Sequence, residues 1–160
     1  MRKYIGTTDI AKIIREMLKK AYPETKFSVR SSKYAGGSSI DIRWTDGPTE
    51  DQVKAKTGYF QGADFDGMQD LKTYRGEREW QGEMVHFSVD FIFTKRAYSE
   101  AMLRAAAEKE AARFGMATPE ILVSTYDSGA YMNSQTRPNN SCGSGWTLEM
   151  QIRRVIEGRD

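Results

Sequence analysis

The chain has a single cysteine, Cys142, and a single histidine, His86. One thiol cannot close an internal disulfide, so a reducing, cytoplasmic setting is expected. One imidazole and one thiol cannot furnish three zinc ligands without recruiting carboxylates. No run of about 18 apolar residues occurs, which excludes an ordinary transmembrane helix, so no membrane partner is expected. The segment Met1-Arg2-Lys3-Tyr4-Ile5-Gly6 lacks the apolar stretch of a secretory signal. The Gly-x-x-x-x-Gly-Lys spacing of a Walker phosphate loop is also missing. No complete catalytic set is visible, and no cofactor or resident metal is expected.

What is present suits a globular domain. At 160 residues the chain is long enough for a real core, and 39% hydrophobic with 29% charged residues is an ordinary globular balance. The net charge of +2 hides an asymmetry. Residues 1–45 hold ten Lys/Arg against four Asp/Glu, residues 46–90 hold five against ten, and residues 91–160 hold nine against eight. A basic first third can bind phosphate backbones; it can equally pack beside the acidic second third and cancel it.

The most informative stretch runs from Ile40 to Val53. Ile40, Ile42 and Trp44 alternate with Asp41 and Arg43, the period of a half-buried strand. Asp46-Gly47-Pro48 stops that strand. Thr49 and Gln52 then form a capping box for a helix over residues 49–60, with Val53, Ala55 and Phe60 as its inner residues. Upstream, Ile10, Ile13, Ile14, Met17, Leu18 and Ala21 recur at helical spacing, predicting a helix over 9–21 with Thr8 as N-cap and Pro23 beyond its end. Lys26 to Arg30 reads as a strand paired with 40–44, joined by a Ser/Gly loop from Ser31 to Ser39. Residues 62–82 are turn-rich and polar. Met84 to Phe93 is the best strand pattern, with Val85, Phe87, Val89, Phe91 and Phe93 on one face, and is expected to lie centrally.

Further along, Ala97 to Phe114 reads as an Ala-rich helix closed by Gly115. Residues 121–126 suggest a strand, and 127–145 a long Ser/Asn/Gly loop. Residues 147–158 fit a helix better than a strand. The expected fold class is α+β: a mostly antiparallel sheet of about four strands with helices packed on one face. Residues 1–126 form the body of the domain, and residues 127–160 a loop and C-terminal element of the same domain.

Several blocks then fall into a known order. Asp9-Ile10-Ala11-Lys12, Phe27-Ser28-Val29-Arg30-Ser31-Ser32-Lys33-Tyr34, Gly37-Ser38-Ser39, Trp44-Thr45-Asp46-Gly47-Pro48, Phe65-Asp66-Gly67-Met68 and Asp90-Phe91-Ile92-Phe93 follow one pattern. The chain resembles the large polyvalent protein-associated domains of phages and conjugative elements, over roughly residues 7–100. Such domains occur inside long proteins thought to enter a new host with the invading DNA. The resemblance implies a mobile genetic element, a bacterial cytoplasm and a role in counter-defence. It brings no catalytic constellation with it.

Candidate sites follow from residue chemistry. The loop containing Arg30, Ser32, Lys33 and Tyr34 combines cations, hydroxyls and a ring, which can hold phosphate or stack a base. It can also be a solvated hairpin tip. Arg43 and Trp44 can extend that surface, although Trp44 equally suits the core below the turn. Tyr74 and Trp80 flank a charged segment and suit a partner interface. Asp64, Asp66 and Asp70 crowd oxygens on one loop, but an EF-hand needs glycine at position 6 and glutamate at 12, whereas Gly67 falls at 4 and Arg75 at 12. Asp66-Gly67 is more simply a turn. His86 can share a face with Asp90, the geometry of a general base. Cys142 reads as a free thiol unless a helix start nearby lowers its pKa. The expected function is therefore a non-enzymatic binding protein of a mobile element, whose partner is nucleic acid or a host defence protein. The alternative is a metal-dependent nuclease or nucleotide hydrolase using Asp64, Asp66 or His86.

Overall fold

The computed structural model describes residues 3–124, 129–132 and 147–158. The fold is α+β, and the chain divides into two compact units, Met1–Lys95 and Arg96–Asp160.

The first unit opens with a short strand, β1 (Lys3–Ile5), and helix α1 (Thr7–Ala21). Ile10, Ala11, Ile14 and Leu18 form the buried stripe of α1, as its spacing predicts. The cap is not Thr8. The helix begins two residues earlier than expected, at Thr7, with Gly6 as N-cap and no side-chain cap bond. Thr7 is drawn inward instead, its hydroxyl bonded to Ser38 Oγ at 2.9 Å.

Helix α1 packs on a hairpin of β2 (Ser28–Tyr34) and β3 (Gly37–Thr45). The expected loop from Ser31 to Ser39 is corrected here: pairing runs without a break from Ser28↔Arg43 to Tyr34↔Gly37. Only Ala35 and Gly36 turn the chain, with Gly36 at φ +91°, a left-handed position that glycine adopts without strain. Polar strands look like loops when read singly, yet the backbone N–H and C=O groups that β2 and β3 turn toward each other gain ladder partners. Val29, Ile40, Ile42 and Trp44 face α1 and join its stripe in one core. Trp44 Nε1 donates to Pro48 O at 2.9 Å, closing the turn above it.

Helix α2 (Glu50–Thr57) begins at the Thr49–Gln52 capping box and tightens into a single 3-10 turn, Gly58–Phe60. Val53 and Phe60 are buried as expected, but Ala55 is exposed and Thr57 is the inner residue, its hydroxyl bonded to Val53 O at 2.9 Å.

The polar stretch 62–82 is not merely turns. It holds a hairpin, β4 (Ala63–Asp66) with β5 (Leu71–Tyr74), and a further strand, β6 (Arg78–Trp80). The long strand expected over 84–93 is two strands, β7 (Glu83–Phe87) and β8 (Phe91–Ala97). β7 is central in a sheet of order β1-β7-β6, parallel to β1 and antiparallel to β6; β8 joins the hairpin in the order β2-β3-β8. The four-strand sheet is thus replaced by sheets of two or three strands, because the chain changes sheet between Phe87 and Phe91.

In the second unit, Ser99 caps α3 (Glu100–Phe114), which ends at Gly115 with φ +65°. Thr147 caps α4 (Leu148–Ile156), so the last segment is helical. A hairpin of β9 (Ile121–Val123) and β10 (Ala130–Met132) falls partly within the stretch expected to be loop. Leu103, Ala107, Ala111, Ile121, Met132, Leu148 and Ile152 make its core. The remainder of the expected 127–145 loop, with Cys142, lies outside the described residues.

The two caps separate by experiment. Thr49→Ala is expected to lower unfolding stability by about 1 kcal/mol, whereas Thr8→Ala changes it by less than about 0.5 kcal/mol. Urea denaturation of both variants checks this; equal losses would refute the assignment of the first cap to Gly6.

Candidate nucleic-acid interface

Strand alternation sorts the β2-β3-β8 sheet into two faces. Val29, Ile40, Ile42 and Trp44 occupy the face under α1, and Ile92 packs against the same core. The opposite face carries Arg30, Ser32 and Tyr34 from β2, Gly37, Ser39, Asp41 and Arg43 from β3, and Phe91, Phe93 and Lys95 from β8. Four of the residues anticipated from the sequence are therefore brought together: Arg30, Ser32, Tyr34 and Arg43. Lys33 is not among them; paired with Ser38, it projects from the other face. Trp44 is only 3% exposed and belongs to the core.

The outer face is open and carries rings. Tyr34 is 51% exposed and Phe93 54%. Phe91 and Phe93 stack on each other with centroids 6.2 Å apart. Among the described residues, neither Arg30 nor Arg43 has a side-chain hydrogen bond or ion pair. Two guanidinium groups thus stand in solvent beside exposed aromatic surface, with the Asp41 carboxylate as a neighbour.

Asp90, in the break between β7 and β8, organises one end of this face. Its Oδ2 accepts from the Ser38 N–H at 2.8 Å and from Lys72 Nζ at 2.9 Å. Its own N–H donates to Ser38 O at 3.1 Å, and its C=O accepts from Ala63 N–H at 3.1 Å. Lys72 also donates to Gly36 O at 3.2 Å and lies 4.8 Å from the Tyr74 ring and 5.6 Å from the Phe91 ring. The hydrogen bond to Asp90 raises the Lys72 pKa above the ordinary lysine value, against an opposing effect of burial. One carboxylate therefore holds the tip of β2-β3 and the β4-β5 hairpin side by side. Gly37 must lack a side chain here, since a Cβ would sit 2.3 Å from Asp90 Oδ2.

Tyr74, 61% exposed, reaches the edge of the face through Lys72. Trp80 does not reach it. It is half-buried, edge-on to Phe60 at 5.0 Å and near Phe87 and Tyr59, so a charged sequence neighbourhood concealed a core ring. Lys72, Asp90, Phe91 and Phe93 are members that sequence reasoning missed. The one signal was Asp90 interrupting an otherwise apolar strand pattern.

The remaining candidates are engaged elsewhere. Asp64 accepts both prongs of Arg75, at 2.7 and 2.5 Å, and that hydrogen bonding lowers its pKa. Asp66 Oδ1 accepts from Met68 N–H at 2.9 Å, forming its own turn. His86 lies edge-on to Tyr4 at 5.2 Å, in β7, and does not share a face with Asp90, because the strand breaks between them. Among the described residues, no group of three or more His, Cys, Asp or Glu is placed to hold a metal ion. No helix among them is long and apolar enough to cross a membrane.

A family model described as large polyvalent protein associated domain 29 matches residues 5–99, and the chain belongs to that family. No curated protein and no solved structure matches the chain. The matched span includes every residue of the open face and both residues of the Asp90–Lys72 pair.

Asp90→Ala orphans a buried Ser38 N–H and is expected to cost about 2–3 kcal/mol. The pH dependence of the pair follows from the raised lysine pKa. The contribution is complete below the unfolded value of about 10.4 and is lost as pH rises through the folded value. Urea midpoints of wild type and Lys72→Met between neutral and alkaline pH should converge above that value; a constant gap would show that the ion pair contributes nothing.

Proposed function

We propose that the first unit is a non-enzymatic nucleic-acid-binding module of a phage or other mobile element, and that the outer face of the β2-β3-β8 sheet is its contact surface. The observation that carries this reading is the placing of Arg30 and Arg43, which have no side-chain partner among the described residues, with the exposed rings of Tyr34 and Phe93 on one face. Cations neutralise phosphates and release their counterions, while rings supply stacking area. A sheet with one face under a helix and the other open, aromatic and basic is a surface on which nucleic acid is bound in other folds. Family membership supports the setting, and a role in counter-defence follows if bound nucleic acid is shielded from host enzymes.

A host defence protein as partner is a second reading with its own support. At the tip of the β4-β5 hairpin, Phe65, Met68 and Leu71 are exposed, Met68 almost completely. A cluster of that kind suits a protein contact more than a phosphate backbone. The metal-dependent nuclease or nucleotide hydrolase has less to build on, because Asp64 is held by Arg75 and Asp66 by its own turn.

Fluorescence anisotropy of labelled single- and double-stranded DNA and RNA over a salt titration tests the first reading. Binding that falls steeply with salt is expected. The double variant Arg30→Ala/Arg43→Ala should weaken it and flatten the logarithmic salt slope by roughly 1.5 to 2. Absence of binding at low salt, or an unaltered affinity in the folded double variant, would discard it.

A further inference from the structure

Resting on that reading, we infer that the nucleic acid taken by this face is an unpaired strand, with bases stacked on the rings of Phe93, Phe91 and Tyr34 and phosphates held by Arg30 and Arg43. The two ends of the face differ in character. At the tip of the hairpin, the cation of Lys72 is paired with Asp90 and sandwiched among rings, so little net charge is left there. What that end presents is aromatic: Tyr34 and Tyr74, both more than half exposed, and Phe91 beside Lys72, with the exposed ring of Phe93 two residues further along β8. The two guanidinium groups, without a side-chain partner among the described residues, stand farther down the ribbon, where Arg30 lies opposite Asp41 and Arg43 opposite Ser28 in the backbone register.

Over β3 at this end the space is filled: Asp90 Oδ2, the Tyr34 ring and Lys72 Nζ crowd Gly37, and Ser39 is buried. Bases therefore stack on the exposed outer surfaces of Tyr34 and Phe93 and do not enter between the strands.

A duplex cannot use this arrangement. Its bases are already stacked on one another, and it offers phosphates and groove edges to the protein. Docked here, it would engage the two arginines and cover the rings without stacking on them. An unpaired strand engages both sets at once, since every base has a face to give an aromatic ring. The chemistry therefore favours single-stranded DNA or RNA without strong base preference.

The experiment compares a labelled oligothymidylate of roughly 12 nucleotides, within the site size of comparable single-strand binders, with a hairpin duplex of equal charge. The single strand is expected to bind at least tenfold more tightly. Phe93→Ala should weaken single-strand binding by about five- to a hundredfold and leave duplex binding unchanged. Phe93→Trp should keep the affinity, and its added fluorescence should be quenched when the strand binds. Equal affinity for duplex and single strand overturns the inference, as does an unaltered single-strand affinity in Phe93→Ala. Should Phe93→Ala misfold by circular dichroism, absence of added quenching in Phe93→Trp overturns it instead. Loss of binding in Arg30→Ala/Arg43→Ala without loss in Phe93→Ala would leave the proposed function standing and remove only the unpaired strand. No binding by any nucleic acid would remove both.

Discussion

Much of the first unit's arrangement depends on one carboxylate taken largely out of water. The Asp90 side chain is 11% exposed, so its charge requires partners, and it finds two that belong to different hairpins: the Ser38 N–H and Lys72. A buried charge without such partners is costly, and removing any one of the set leaves another orphaned. Hydroxyls extend the same junction, since Ser38 Oγ donates to Ser88 O at 2.9 Å and Thr7 reaches Ser38. The start of α1, the tip of β2-β3, the β4-β5 hairpin and the break after β7 are thereby tied together.

That tie explains why the chain changes sheet. Val85, Phe87 and Val89 are buried in one apolar succession, and the alternation continues through Phe91 and Phe93. Alternation alone would carry a strand straight on. Instead, capture of Asp90 by Ser38 turns the chain and starts β8 beside β3. Phe91 and Phe93 then face outward while Ile92 turns to the core. Two rings that would have filled an interior are delivered to an open surface. The same act pairs Lys72 and leaves Arg30 and Arg43, which have no side-chain partner among the described residues, on that surface. Aromatic and basic residues thus share one face.

A second clamp secures the neighbouring ground. Arg78 donates to the carbonyls of Tyr59 and Gln61 and lies 5.1 Å from the Phe87 ring, and Arg75 reaches Gly58 O at 3.2 Å while forking onto Asp64. The Tyr59 and Gln61 carbonyls gain a guanidinium donor in this way, and Gly58 O, which already accepts the Gln61 N–H, gains a second. These arginines look like surface charge in the sequence, yet they serve the backbone. Trp80 was obscured for the same reason: its neighbours Glu77, Arg78 and Glu79 read as a solvated loop, while its ring packs on Phe60.

The sequence by itself determined whatever depends on neighbours within about one helical turn or one turn of chain. The stripe of α1, the capping box at Thr49, the glycine end of α3, the inward side of Ile40, Ile42 and Trp44 and the helical choice for α4 are all of this kind. Part of the candidate surface was legible too, because Arg30, Ser32, Tyr34 and Arg43 share a face through hairpin register alone. Tertiary structure decided the rest: the length of the ribbon, the division of the 84–93 stretch, the inward place of Trp80, the opposite placement of Lys33, and the entry of Phe91, Phe93 and Lys72 into the site. Each turns on a contact between residues far apart in the chain. Asp90 and Ser38 are separated by 52 positions, and no local period records which buried charge will meet which backbone N–H.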